Sequence, residues 1–135
     1  MLFTDTITIY NHYKEDGLDK WQRTVLFGCQ WRRKIIRTVD NAGKVLKSAE
    51  VSVTIPMREG YLPYKEWLNL ADKTGKWTID TEHHLDMLTL GECECELSET
   101  YTPNMLKRDR LDTIVAGTLS DNTNRDYLKH WRVTQ

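Results

Sequence analysis

Alternation with a period of two dominates this chain. In Thr6-Ile7-Thr8-Ile9-Tyr10, Ile7 and Ile9 share one face and Thr6, Thr8 and Tyr10 the other, which predicts a half-buried strand. Residues 11–20 are polar around Asp16-Gly17, a turn dipeptide, and lead into the apolar run 21–27. This predicts a hairpin with a loop over 11–20. Gly28 interrupts the run before Cys29-Gln30-Trp31 and the apolar positions of 35–39, and marks a bulge or bend. Asp40-Asn41-Ala42-Gly43-Lys44 is the strongest turn signal. After it, Val51, Val53 and Ile55 alternate with Ser52 and Thr54 in a β-rich run over 45–55, giving a second hairpin. Pro56 ends it, because proline supplies no ladder donor.

Only residues 61–73 carry a helical period, with Tyr64, Trp67, Leu68 and Ala71 at i, i+3, i+4 and i+7. Residues 75–79 return to β character, and 87–97 read as a strand or a pair of strands broken at Gly91. Residues 101–112 receive no element: Pro103 comes early and Lys107-Arg108-Asp109-Arg110 is solvated in either state. Residues 113–119 and 127–133 read as two strands joined by the Asn- and Asp-rich loop 120–126. Many short strands, one short helix and no βαβ alternation predict a mainly β fold, a small β-barrel or sandwich of short antiparallel strands. No linker or repeat divides it, so residues 1–135 form one domain.

Composition narrows the function classes. Nineteen basic and twenty acidic residues leave a formal charge of -1, so no overall field would hold a membrane surface or a nucleic acid, and sequence-specific nucleic-acid binding is not expected. Residues 1–60 carry ten Lys/Arg against seven Asp/Glu, and residues 61–135 nine against thirteen, a polarity that can help subunits stack. Three cysteines and no secretory segment at the N-terminus fit a reducing compartment better than a disulfide framework. No apolar stretch approaches the ~20 residues of a membrane span, so a soluble protein is expected.

Candidate chemistry concentrates in residues 83–97, HHLDMLTLGECECEL. Strand alternation puts Cys93, Cys95 and Leu97 on the core face and Glu92, Glu94 and Glu96 in water. The metal candidates are Cys29, Cys93, Cys95, His83 and His84. A zinc site needs four ligands, commonly from Cys pairs two to four residues apart, whereas this pair is separated by one residue. Small buried thiols are therefore the favoured reading, with no cofactor. The serines sit in no nucleophile elbow, the seven glycines are scattered, and His12 and His130 each stand without a catalytic partner in the pattern.

Trp31-Arg32-Arg33-Lys34 is the one compact basic cluster, read as an exposed strand end or a patch meeting an acidic partner. Five Trp and six Tyr supply core and interface anchors. Trp21, Trp31 and Trp77 are expected in the core, while Tyr64 and Trp67 are interface candidates.

Four segments, TDTITIYNHY, DKWQRTVLFGCQW, LDMLTLGECE and LSDNTNRDYLKHWRV, resemble the small structural proteins encoded in the morphogenesis region of tailed phages and of prophages in Gram-positive bacteria, of the head-closure or head-tail joining type. The resemblance implies a barrel that assembles side by side into a ring, with loops reaching a portal-side adaptor and the tail. It implies the host bacterial cytoplasm during assembly and then the virion, with no catalytic residues. The loop at 11–20, the turn at 40–44 and the segment 98–112 are the contact candidates. Two other readings stand beside it: a monomeric β-barrel binding module for a small ligand or single-stranded nucleic acid, and a zinc enzyme built on the three cysteines and the histidines.

Overall fold

A computed structural model describes residues 3–124 and 126–135. Its strands are β1 (Asp5–Glu15), β2 (Leu18–Val39), β3 (Val45–Pro56), β4 (Met87–Leu90), β5 (Thr113–Val115), β6 (Thr118–Asp121) and β7 (His130–Thr134). Two short helices, α1 (Tyr64–Leu68) and α2 (Pro103–Asp109), accompany them. The strands lie in the order β5-β4-β1-β2-β3-β7-β6, and every neighbouring pair is antiparallel. The fold is therefore mainly antiparallel β, as the alternation predicts.

Two chain segments turn the sheet's corners. The first half of β2 pairs with β1 as far as Asp5↔Cys29, and the second half pairs with β3 from Gln30↔Thr54 onward. The switch follows directly on Gly28, where φ is +72° and the β1 register slips by one residue between Asp5 and Ile7. The expected bulge is thus a barrel corner. β5 and β6, the two ends of the strand order, are separated only by Ala116 and Gly117. The Ala116 N–H donates to the Asp86 carbonyl and the Gly117 N–H to the Thr134 carbonyl, both at 2.9 Å. The run read as one strand over 113–119 is therefore two, and it closes the sheet into a barrel. Gly117 is needed at this corner: a Cβ would lie 3.0 Å from the Gln135 carbonyl carbon and 3.1 Å from the Thr134 oxygen.

Ile7 and Ile9, Leu26 and Cys29, Val53 and Ile55, Leu88, Ile114, and Trp131 with Val133 converge in the barrel interior, joined by Trp77 and Ile79. A second cluster lies outside the barrel wall, where Tyr10 and Met87 meet Cys93, Leu97 and Leu106. Residues 92–101 and α2 therefore roof the outer face of β1 and β4.

Several local expectations give way to tertiary structure. Residues 11–20 are not a loop. β1 and β2 stay paired from Tyr13↔Lys20 to Glu15↔Leu18, and only Asp16-Gly17 turns. Their polar character reflects buried hydrogen bonding, as Asn11 and His12 are buried. The helix expected over 61–73 keeps only Tyr64–Leu68, and Leu68 and Ala71 face solvent. Residues 75–79 form no strand beyond a single parallel bridge, Tyr61↔Trp77, although Trp77 and Ile79 are core. Residues 101–112, left without an element, contain α2, whose Thr102 side chain accepts from the Met105 N–H. The last strand begins at His130, leaving Tyr127 exposed, and Arg125 of the 120–126 loop lies outside the described residues.

Candidate interaction surface

The most unusual surface is made by the second hairpin. The β1 ladder stops opposite Cys29 and the β7 ladder opposite Ser52, yet β2 and β3 remain paired for seven further rungs, from Arg33↔Val51 to Val39↔Val45. At ~3.3 Å per residue this two-stranded arm extends about 20 Å past its neighbours. Its tip is the predicted turn at 40–44, where the Asp40 carboxylate accepts from the Ala42 and Lys44 N–H groups at 2.9 and 2.8 Å. Residues 37–49 are all exposed.

The register gives the arm two unlike faces. One carries Arg33, Ile35, Arg37 and Val39 opposite Val51, Ala49, Lys47 and Val45, and has no acidic residue. The other carries Lys34 opposite Glu50, Ile36 opposite Ser48 and Thr38 opposite Leu46. Ile35 is 66% exposed, Val39 67% and Val45 54%, so β-branched residues that belong in a core lie in water on the arm's basic face. Residues 32–50 hold six basic and two acidic side chains. Arg32, Arg33 and Lys34 are exposed at the root, as expected of a patch, and beside them Arg132 donates to the Ser52 hydroxyl at 3.1 Å. Trp31 is half-buried and packs against the barrel core, anchoring the arm.

At the opposite end of β2 lies a cleft of about 400 Å³ between the β1–β2 turn and residues 97–100, lined by Tyr13, Leu18, Trp21, Leu97 and Glu99 among others. Its wall is the end of a segment with four exposed glutamates, Glu92, Glu94, Glu96 and Glu99, of which Glu99 lines the cleft. This segment forms no ladder. The Cys93 N–H donates to the Thr8 hydroxyl at 2.8 Å, the Tyr10 hydroxyl donates to the Cys95 carbonyl at 2.6 Å, and Arg23 donates to the Cys93 carbonyl. Without strand geometry the inward period becomes four. Cys93 and Leu97 are buried, whereas Cys95 is exposed, which corrects the expectation that both thiols face the core. The glutamates do face water.

The metal candidates are scattered. Cys29 is buried in the barrel interior, and burial pushes its thiol up to about 11. Cys93 lies in the cluster outside the wall. His83 Nδ1 is 2.8 Å from an Asp80 carboxylate oxygen, and His84 is an exposed loop residue at φ +54°. Among the described residues no three His, Cys, Asp or Glu side chains are placed to share a metal.

Trp67 is fully buried, with its indole N–H donating to the Lys76 carbonyl at 3.2 Å, its ring 5.7 Å from Tyr13, and Lys73 over it at 5.3 Å. It pins the 61–76 segment to the barrel and presents nothing to a neighbour, which removes it from the interface candidates. Tyr64 is half-buried, 5.7 Å from the His83 ring, and keeps some exposed area. Of the expected core tryptophans, Trp77 is buried and Trp21 and Trp31 are half-buried.

Sequence reading missed a buried polar hub. Asp86 accepts from the His12 N–H at 2.8 Å, and from the Asp80 N–H and the Asn11 amide at 2.9 Å. Asn11 also brackets Thr78, accepting from its N–H at 3.2 Å and donating to its carbonyl. Burial raises the Asp86 carboxyl to about 6 despite these donors. Every oxygen is occupied by groups that fix residues 78–86 to β1, so the hub is structural. The one available signal was a pair of polar residues, Asn11 and His12, continuing an apolar alternation.

The chain belongs to DUF6751, a family of unknown function. The match spans residues 2–134, nearly the whole chain, so the barrel, the arm and the roof all lie within the shared domain. No curated protein and no solved structure matched the chain.

Proposed function

We propose that this DUF6751 protein is a non-enzymatic structural component of a tailed phage or prophage particle, a head-tail connector of the head-closure or neck type that acts through ring assembly. Its partners are copies of itself, a portal-side adaptor and tail proteins. It works in the host bacterial cytoplasm during assembly and then in the virion. The observation that carries the reading is the arm, a paired hairpin with uncovered Ile35, Val39 and Val45 among basic side chains. Such a surface is costly in a free monomer and useful in an assembly. The sequence resemblance supplies the kind of assembly. A ligand-binding barrel would need an open interior, and this one is filled by Trp77, Trp131 and the aliphatic residues around them.

Co-expression of the tagged chain with portal and tail-completion proteins of a tailed phage of a Gram-positive host, followed by electron microscopy of the purified material, tests the proposal. Rings of the chain stacked on a portal are expected. A chain that stays monomeric at every concentration and binds neither protein would overturn the reading.

A further inference from the structure

We propose that the arm of one copy docks in the cleft beside the β1–β2 turn of the next copy, joining copies head to tail. The inference rests on the ring-assembly reading and names the two surfaces that meet. The arm's docking face offers Ile35, Val39 and Val45 interleaved with Arg33, Arg37 and Lys47. The cleft offers the complementary chemistry, with an apolar floor of Tyr13, Leu18, Trp21 and Leu97 and the carboxylates of Asp19 and Glu99 in its lining, while the exposed Glu92, Glu94 and Glu96 precede that lining along the same segment. Leu18 is itself 48% exposed. Residues 92–99 contain four acidic and no basic residues, and the arm has an excess of four basic ones. The one lysine of the cleft, Lys20, lies 3.7 Å from a Glu15 carboxylate oxygen.

The two surfaces cannot satisfy each other within one chain. Leu18 is the first residue of β2 and Val39 the last, so cleft and arm tip sit at opposite ends of the same strand. Among the described residues, none of the arm's cations and none of these four glutamates takes part in an ion pair within 4.0 Å. Complementary surfaces at opposite ends of a protomer make a heterologous contact, which closes into a ring or runs on as a filament. Charge complementarity also favours this pairing over arm against arm, where Arg37 and Lys47 of two copies would face each other.

Sedimentation velocity of the full-length chain over a concentration series, at low and high salt, tests the pairing with two exposed-surface variants. The arm variant carries Arg37→Ser, Val39→Ser and Lys47→Ser; the cleft variant carries Leu18→Ser and Glu99→Lys. Circular dichroism and thermal unfolding show that each retains the fold. The wild type is expected to associate with a salt-weakened affinity, and each variant alone to lose at least about tenfold in affinity. Mixing the two restores one intact arm and one intact cleft, so a 1:1 heterodimer that grows no further is expected. Wild-type association that survives in either variant, or a mixture without heterodimer, overturns the docking while leaving ring assembly standing. A wild type that never associates also overturns the docking, and the ring-assembly reading falls with it when the chain binds neither portal nor tail protein.

Discussion

The Trp31 backbone N–H donates to the Asp5 carboxylate at 2.9 Å, at the point where β2 has left β1 and turned to β3. A strand that changes partners leaves a donor with no ladder acceptor, and here a side chain supplies one. The charged acceptor also fixes the angle at which the arm leaves the barrel. Asp5→Ala is expected to lower stability by about 1.5–3 kcal/mol, the range for a hydrogen bond to a charged group. Asp5→Asn, which keeps an acceptor oxygen, should recover part of it. Urea unfolding of the three proteins checks this, and equal midpoints would show that the corner is held by packing alone.

Asp86 makes stability depend on pH in the direction opposite to most carboxylates. Its folded value of about 6 lies above the ordinary 3.8 because burial penalises the charge. Between those values the folded state holds a proton that the unfolded chain has released. Its contribution is therefore full below about pH 4 and is lost as pH rises through 6, a change of about 3 kcal/mol. Asp86→Asn removes the titration. The stability of wild type minus that of the variant should fall by about this amount from pH 4 to pH 7, measured by chemical denaturation. A difference that stays constant with pH would mean the carboxyl titrates normally.

The corners and the arm were legible to different degrees in the sequence. Gly28 and the turn at 40–44 announce themselves through turn chemistry, which is local, and the alternation at Ile7, Ile9, Val51, Val53 and Ile55 follows directly from strand geometry. Ile35, Val39 and Val45 show the same β-branched pattern and read like core. Whether a pattern is covered depends on strands far away in sequence, and β1 and β7 stop short of them. The Asn11–Asp86 hub joins residues 75 positions apart, a separation no local period encodes. Gly117 looked like part of one strand because its role, close approach to residues 134 and 135, appears only when the sheet closes.

Cys95 should be the one readily accessible thiol. It is exposed, whereas Cys29 lies in the barrel and Cys93 is a roof residue buried against Tyr10 and Met87. A thiol reagent added to the native protein should label one equivalent rapidly and the remaining two only on unfolding. Cys95→Ser should abolish the fast phase with little change in stability. Rapid labelling of two thiols would show that the segment from Gly91 to Leu97 opens in solution. The roof would then be held by less than the contacts of Tyr10, Arg23 and Thr8 imply.

Trp67 and Tyr64, three residues apart in α1, should separate folding from assembly. Trp67 is fully buried against Tyr13 and Lys73, and α1 is too short to persist without that anchor. Trp67→Ala is expected to cost about 3–5 kcal/mol, the range for deleting a large buried ring. Tyr64→Ala removes a half-buried ring beside His83 and should cost about 1 kcal/mol or less, like other partly exposed positions. Denaturant titrations give both values. If the two losses were equal, α1 would be docked through its Tyr64 side and not through Trp67. A Tyr64→Ala protein that folds normally but associates more weakly would then place Tyr64 at a subunit contact, a role that full burial denies to Trp67.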